Sequence, residues 1–151
     1  MDVCGIQIPD KALTNFELLD YVKKLKIQNF RGVFMRDTLP STPLENESGI
    51  VNFNTSSQSG SHWVCYFKRG NERIYFDSFG QVSLNEIQKY LKKPSERSQQ
   101  VIQRNTDIVQ HLNTCVCGHL CLFVLTSLTR EQLSHQDVLK ILNGGYTRGD
   151  W

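Results

Sequence analysis

The chain has 151 residues and a nearly balanced charge, with 17 basic and 15 acidic side chains and a formal net charge of +2. A chain of this length can bury a substantial core, and we predict a single domain over residues 1–151. The weak charge does not support nucleic-acid binding, and the longest apolar run, Cys117 to Leu128, is too short to span a bilayer.

The first residues, Met1 to Cys4, lack the basic and apolar regions of a signal peptide. The chain contains 5 cysteines, an odd number, and three of them are crowded into the segment Cys115 to Cys121. We therefore expect reduced thiols in an intracellular protein that is not secreted.

An amphipathic helix is predicted over residues 14–25, where Thr14 and Glu17 have the spacing of a capping box. The apolar residues of its predicted buried stripe are Phe16, Leu19 and Val22. This pattern is typical of a helix that packs on the outside of a domain.

The middle of the chain is predicted to be mainly β-structure. Residues 30–39 mix aromatic, glycine and charged residues and are predicted to be structured, whereas 40–48 contain two prolines and are predicted to form a surface link. A short strand is predicted at 50–53, followed by strands at 62–67 and 73–77. The last two strands are separated by a short turn, so we expect a hairpin.

The register of this hairpin brings a histidine close to an acid. If Gly70-Asn71 is the two-residue turn, Val64 faces Asp77. His62 is then the diagonal neighbour of Asp77, whereas a turn at Arg69-Gly70 makes the two face each other directly. Both registers place the imidazole and the carboxylate on the same face of the sheet, because side chains alternate along a strand.

A second capped helix follows, with Ser83 and Glu86 as its predicted capping box. Its predicted buried stripe consists of Leu84, Ile87, Tyr90 and Leu91. A short strand is predicted at 101–105, and a last helix around Val138 is predicted to end at Gly144-Gly145.

The segment from Cys117 to Leu128 is apolar almost all round, which predicts a helix buried in the centre of the core. Asn113 and Thr114 are good capping residues, so we expect the helix to start there, with Cys117 in or beside the first turn. The free amides and the positive dipole end at that position favour a thiolate. Gln110 brings an amide donor towards the same end.

The whole pattern predicts an α+β fold, a small mixed β-sheet packed against a buried central helix that carries a nucleophile. Nucleophilic cysteine chemistry needs a thiolate, a base, a group that orients the base, and donors for the oxyanion. Cys117, His62, Asp77 and Gln110 supply one of each. Each residue alone has an ordinary structural interpretation, so the prediction depends on the set.

The other histidines fit this chemistry less well. His119 lies about 200° round the helix axis from Cys117, and His111 and His135 have no carboxylate on a paired strand. Four potential zinc ligands fall within Cys115 to Cys121, but a helix points alternate residues to opposite sides, so we predict no metal site. The remaining cysteines are predicted to be small buried hydrophobic residues: Cys4, Cys65, Cys115 and Cys121.

The motifs form a recognisable series between about residues 28 and 126: Phe30-Arg31-Gly32-Val33-Phe34, Ile50-Val51-Asn52, Gly60-Ser61-His62-Trp63, Tyr75-Phe76-Asp77-Ser78-Phe79-Gly80, Gln110, Asn113 and Cys117-Gly118. This series resembles the adenovirus protease (adenain) and its relatives in Polinton/Maverick elements, adintoviruses and virophage-like viruses. The chain order histidine, acid, glutamine, cysteine is shared with the SUMO-protease group, whereas papain has its cysteine first.

The resemblance implies a role for each residue of the set. Cys117 is the nucleophile, His62 the general base and acid, and Asp77 the group that orients His62. The Gln110 side chain and the Cys117 backbone amide form the oxyanion hole. The implied activity is that of a virion-maturation endopeptidase that cuts structural precursor or capsid proteins at Gly-Gly or Gly-X-Gly motifs after a small aliphatic residue. Its implied location is the host nucleus or the virion, and the chemistry requires no cofactor.

Several alternatives stay open at this stage. Adenain binds an activating peptide through a disulfide to a cysteine, but the corresponding position here, near Gln99, is not cysteine, so peptide or DNA activation is left undecided. A SUMO- or ubiquitin-type isopeptidase would use the same catalytic set, and a catalytically silent binding protein could keep the fold. The segment Leu142 to Tyr146 matches the favoured cleavage pattern, although glycine after a helix is more typical of a C-cap.

Overall fold

The strands and helices follow the apolar pattern of the sequence. The computed structural model describes residues 1–57, 62–92, 101–110 and 114–145. In chain order the elements are β1 (Asp2–Val3), β2 (Ile6–Gln7), α1 (Asn15–Leu25), β3 (Phe30–Met35), β4 (Asn46–Asn52), β5 (Trp63–Arg69), β6 (Glu72–Phe76), α2 (Asn85–Lys92), β7 (Ile102–Arg104), α3 (Cys117–Thr129) and α4 (His135–Lys140), with a π-helical turn at Ile141–Gly145.

The central sheet has the strand order β3-β4-β5-β6-β7, and a separate small hairpin joins β1 to β2. The central strand β5 is antiparallel to both β4 and β6, and each outer strand runs parallel to its neighbour. The sheet is therefore mixed, as predicted. Within the described residues, no helix combines the length and the apolar character needed to cross a lipid bilayer.

Alternation along β5 divides the core into two layers. Trp63, Cys65 and Phe67 belong to the larger cluster, which contains α1 and α3. Val64 and Tyr66 belong to a smaller cluster on the opposite face, under α2. The sheet is thus covered by helices on both faces, and α3 is buried along nearly its whole length, which confirms the predicted central helix.

The predicted hairpin forms in the first of the two registers. Arg69 pairs with Glu72, so Gly70-Asn71 is the two-residue turn. Gly70 has a φ of +58°, a left-handed conformation that glycine adopts without strain. Cys65 pairs with Phe76, and this register puts Asp77 opposite Val64.

The predicted start of α3 is wrong. The helix begins at Cys117, its N-cap is Val116, and no side chain caps it. Thr114 lies before the helix, and its carbonyl accepts a hydrogen bond from Gln110 Nε2 at 2.9 Å, which holds this residue in the approach loop. Asn113, the other predicted cap, lies outside the described residues.

Helix α1 has the predicted capping box between Thr14 and Glu17, but of its predicted apolar stripe only Val22 is buried. Phe16 and Leu19 are 77% and 38% exposed. The buried residues are Leu18, Val22 and Leu25. The face that carries Leu18 is the buried one because α1 packs closely on α3. A Cβ added at Gly118 would lie 3.3 Å from Leu18 Cδ2.

Strand β4 begins at Asn46, so the predicted surface link over 40–48 is too long. Glu47 and Ser48 are buried in the strand because Glu47 is surrounded by hydrogen-bond donors, including both Tyr66 and Tyr90. Charged residues rarely lie in a core without such partners.

The predicted capping box of α2 is also wrong, although its apolar stripe is buried as predicted. The helix begins at Asn85. The Glu86 carboxylate accepts hydrogen bonds from Arg36 Nη2 at 2.9 Å and Nε at 3.2 Å, and Ser83 Oγ accepts one from Gln88 Nε2 at 2.7 Å. Glu86 is thus paired with Arg36 from another segment, and Ser83 with Gln88 of the same helix.

The predicted tail helix is present as α4, with Ser134 as its N-cap, and the π-helical turn continues it to Gly145. Leu142 is fully buried in the larger core cluster. The chain after Gly145, including Tyr146 of the cleavage-like motif, lies outside the described residues.

Candidate active site

An imidazole and a carboxylate meet at one end of the sheet. His62 lies just before β5 and Asp77 just after β6, and His62 Nε2 donates a hydrogen bond to Asp77 Oδ1 at 2.7 Å. The Asp77 side chain is fully buried. The predicted pair therefore forms, and the bond through Nε2 leaves Nδ1 as the second nitrogen of the ring.

The position of Asp77 is set by its neighbours in a tight turn. Its Oδ1 accepts a second hydrogen bond, from the Phe79 backbone N–H at 2.9 Å. Gly80 N–H donates to the Asp77 carbonyl at 2.7 Å and has a φ of +68°. A Cβ at Gly80 would lie 2.6 Å from the Thr106 carbonyl oxygen, so only glycine fits here.

Asn105 holds the backbone of Asp77 from the other side. Its side-chain oxygen accepts from the Asp77 N–H at 3.1 Å, and its Nδ2 donates to the Asp77 carbonyl at 2.6 Å. A buried side-chain amide thus continues the sheet pairing beyond the end of β7. Asn105 ends the strand predicted at 101–105, but no local pattern in the sequence indicates its contact with Asp77.

The His62 ring is held between two aromatic side chains. It stacks on Phe79 with ring centroids 4.8 Å apart and contacts the edge of Phe53 at 5.3 Å. Burial lowers the pKa of His62, but the hydrogen bond with Asp77 and the contact with the Cys117 side chain outweigh it and raise the pKa to about 9. The imidazolium form is therefore favoured near neutral pH.

Cys117 is the first residue of α3 and is largely buried. The Trp63 backbone N–H donates a hydrogen bond to its Sγ at 3.4 Å, and the Trp63 indole donates to the Leu13 carbonyl at 2.9 Å. Because no side chain caps α3, the first-turn amides keep their hydrogen-bonding capacity beside the sulfur. The thiol thus lies at a helix N-terminus and in contact with His62.

Gln110 is buried, with 3% of its surface exposed, and two polar groups hold its amide. The Ser78 hydroxyl donates to Oε1, and Nε2 donates to the Thr114 carbonyl at 2.9 Å. The Thr114 carbonyl identifies the nitrogen end, since the oxygen end would be repelled there. Gln110 and Thr114 lie on the same cleft as Cys117.

A cavity of about 750 Å³ brings three of the four predicted residues into contact with one open space. His62, Cys117 and Gln110 line it directly, and Asp77 lies behind His62. Two walls bound it: the segment 12–15 that leads into α1, and the stretch 33–35 of the edge strand β3. The described lining residues are uncharged apart from the imidazole, which suits an uncharged stretch of polypeptide.

The remaining histidines and cysteines lie apart from this chemistry. His119 is fully buried and donates from Nε2 to the Pro9 carbonyl at 2.7 Å, while burial lowers the pKa of both His119 and His135. His111 lies outside the described residues.

Cys65 and Cys121 are buried as predicted, but Cys4 is half-buried and Cys115 is exposed, because Cys115 precedes the helix instead of packing under it. Across the described ranges, no three His, Cys, Asp or Glu side chains are grouped as metal ligands.

Comparison with known proteins gives a match in structure. No protein-family model and no curated protein matches the sequence. The ASFV pS273R protease superposes with a TM-score of 0.60 at 17% identity, over 99% of this chain and 67% of that one. Its selenomethionine form gives a TM-score of 0.54 at 17% identity, over 89% of this chain and 62% of that one.

At this identity the likeness establishes the fold alone. The predicted fold class, α+β with a mixed sheet packed against a buried central helix, is confirmed, and the ASFV pS273R protease shares this fold. The chain spans about two thirds of the length of these proteases.

Proposed function

We propose that this protein is a cysteine endopeptidase in which Cys117 is the nucleophile. One observation carries the proposal: the His62–Asp77 pair, bonded at 2.7 Å, and the Cys117 thiol at the head of α3 interact in one cleft. The fold shared with the ASFV pS273R protease supports the same activity. The finer likeness to adenain and its Polinton or adintovirus relatives remains part of the proposal.

The first step is attack on a peptide carbonyl. His62 holds the proton given up by Cys117 in an imidazolium–thiolate pair, and Asp77 stabilises the imidazolium. The thiolate is stabilised by the Trp63 N–H, at 3.4 Å, and by the end of α3. It attacks the carbonyl carbon, and negative charge develops on the carbonyl oxygen.

The oxyanion is stabilised by two donors, the Cys117 backbone amide and the Gln110 side chain. The Gln110 amide nitrogen carries two hydrogens, and the Thr114 carbonyl uses one, which leaves the other for the substrate oxygen. His62 then protonates the leaving amine, and water hydrolyses the thioester to release the second product. Neither a metal nor an organic cofactor takes part in these steps.

The proposed substrates are structural precursor or capsid proteins with Gly-Gly or Gly-X-Gly sites, processed in the host nucleus or the virion. This choice follows from the resemblance to adenain, and the uncharged lining of the cleft is consistent with it. The chain's own Leu142 motif is a poor substrate while folded, because Leu142 is fully buried in a helical turn. Cleavage there first requires the tail to unfold.

Selective alkylation tests the proposal directly. Iodoacetamide near neutral pH should label Cys117 of the wild-type protein faster than an ordinary thiol, and His62→Ala should slow that labelling. Because Cys115 is exposed, peptide mapping by mass spectrometry must assign each label, and Cys115 serves as the internal control. Equal rates at Cys117 in both proteins would contradict the proposed pair and favour a silent binding protein.

Substrate assays then separate the endopeptidase from an isopeptidase. A Leu-X-Gly-Gly-X peptide should be cleaved by the wild type and not by Cys117→Ala, and Gln110→Ala should lower kcat about a hundredfold. A ubiquitin-type probe with a C-terminal electrophile should react no faster than a short peptide electrophile. A strong preference for the folded probe would indicate the isopeptidase.

A further inference from the structure

Ser78 lies between Asp77 and Phe79 in the turn that follows β6, and the sequence analysis gave it no role. Its side chain is buried, with 1% of the residue surface exposed. Its hydroxyl donates a hydrogen bond to Gln110 Oε1, and its carbonyl accepts one from the Val109 N–H at 2.9 Å. Ser78 therefore contacts both the side chain of Gln110 and the backbone just before it.

The direction of the Gln110 amide matters for its proposed role. The oxygen and nitrogen ends of a primary amide are similar in size, so packing alone does not choose between them. Only the nitrogen end stabilises an oxyanion, and a flipped amide would turn a carbonyl dipole towards the developing negative charge. The Thr114 carbonyl opposes the flip because it can only accept a hydrogen bond, and the Ser78 hydroxyl, which donates to the oxygen, holds the other end of the amide in that orientation.

We infer that Ser78 is a positioning residue that orients the oxyanion donor Gln110, an inference that rests on the proposed peptidase function. Asp77 orients the base and its chain neighbour Ser78 orients the amide, so a single turn aligns both functional groups. That turn is itself held by Asn105 and by Gly80. Ser78 is proposed to affect the stabilisation of the transition state and to leave substrate binding largely unchanged.

A double-mutant cycle separates this role from a merely structural one. Ser78→Ala should lower kcat on a Gly-Gly peptide about tenfold, the loss expected for one hydrogen bond, with KM nearly unchanged. In the Gln110→Ala background the same substitution should lower kcat less than twofold, because the group on which Ser78 acts is already missing. The pH dependence of kcat should not move, because the His62–Asp77 pair is intact.

Ser83 provides a matched control. It is also a buried serine whose hydroxyl oxygen bonds to a glutamine amide, Gln88 Nε2, at 2.7 Å, but it lies under α2. Ser83→Ala should leave kcat unchanged. If Ser78→Ala does not fold, the near-isosteric pair Ser78→Thr and Ser78→Val replaces it, and only the variant that keeps the hydroxyl should retain activity.

The other possible results distinguish failure of the positioning role of Ser78 from failure of the peptidase proposal. Equal kcat losses from Ser78→Ala in both backgrounds, or equal activity of the threonine and valine variants, would overturn the positioning role and leave the peptidase proposal intact. If Gln110→Ala itself does not slow turnover, Gln110 is not an oxyanion donor and the inference fails with it. Cleavage that persists in Cys117→Ala would instead contradict the proposed function.

Discussion

Two buried carboxylates lie on the same face of the sheet, at opposite ends, and their surroundings differ in kind. Asp77 follows β6 at the end that carries His62, whereas Glu47 pairs with Lys68 towards the other end of β5. Both side chains have no exposed surface. Asp77 lies behind His62, which lines the candidate active-site cleft, whereas Glu47 borders a smaller cavity of about 350 Å³.

Glu47 is surrounded by donors. Tyr66 donates to Oε1 at 2.6 Å, and Tyr90 donates to Oε2 at 2.7 Å. The Leu44 N–H and Arg31 also donate to Oε2, at 2.6 and 3.2 Å. Burial, followed by the hydrogen bond to Glu47, raises the pKa of both tyrosines far above its ordinary value. These bonds attach the loop before β4 and the helix α2 to the sheet.

Asp77 is less fully satisfied. Its Oδ1 accepts from His62 and from the Phe79 N–H, while Oδ2 has no hydrogen-bond partner among the described residues. The main partner of Asp77 is an imidazole that can exchange its proton, whereas the partners of Glu47 keep theirs. A carboxylate saturated by permanent donors stabilises structure, and one paired with a titrating ring can support catalysis.

The largest expected effect is on kcat, and it distinguishes the catalytic role proposed for Asp77 from the structural role of Glu47. Asp77→Ala removes the acceptor that orients His62 and stabilises its charged form, so kcat on a peptide substrate should fall on the order of a thousandfold. Asp77→Asn keeps an acceptor oxygen and should lie between this variant and the wild type. A loss of less than tenfold in Asp77→Ala, with the protein folded, would make Asp77 a structural residue like Glu47.

Glu47→Ala should act on stability instead. It removes the acceptor of two buried tyrosine hydroxyls and the ion-pair partner of the partly exposed Arg31, so the free energy of unfolding in urea should fall by about 4 kcal/mol. The kcat per folded molecule should stay close to that of the wild type. A large fall in kcat without loss of stability would show that the two ends of the sheet are not separate in function.

The pH dependence of stability should come from the Asp77 end. The pKa of His62 is raised from 6.5 to about 9, so its stabilising contribution is complete below about pH 6.5 and is lost as the pH rises through 9. Urea unfolding should show a loss of about 3 kcal/mol between pH 6 and pH 10. His62→Ala should lose much less over this range, and identical profiles would contradict the raised pKa.

The smallest effect is expected from Tyr90→Phe. It removes a single hydroxyl that donates to Glu47, which keeps its bonds from Tyr66, Arg31 and the Leu44 amide. The free energy of unfolding should fall by about 1 kcal/mol, with kcat unchanged. Urea unfolding of Tyr90→Phe and Glu47→Ala, measured side by side, shows how much of the stability of the Glu47 network depends on one donor. An equal loss of unfolding free energy in both variants would mean that Tyr90 dominates the network.

Regular periodicity explains which parts could be predicted. The register that pairs His62 with Asp77 follows from a two-residue turn and the alternation of a strand, and the buried α3 follows from its unbroken apolar run. These signals are local, so no tertiary information is needed. In the structure His62, Gln110 and Cys117 line one cleft, and Asp77 is bonded to His62 behind it.

The parts that sequence analysis missed depend on side chains that meet from distant segments. Asn105 contacts Asp77 across 28 positions, and Ser78 contacts Gln110 across 32. No spacing rule indicates such pairs. The buried face of α1 was also missed, because two apolar stripes have helical spacing and the contact of Leu18 with α3 at Gly118 decides between them.

The start of strand β5 positions both the base and the nucleophile. His62, just before the strand, pairs with Asp77, while the backbone of Trp63, the next residue, donates to the Cys117 sulfur at 3.4 Å. Deleting a single residue within 64–67 would reverse the facing of everything before it and send the imidazole away from its acid. The proposed reaction therefore depends on the number of residues in this strand, because that number decides which face each side chain occupies. Insertions or deletions in β5 should lower activity far more than conservative substitutions there.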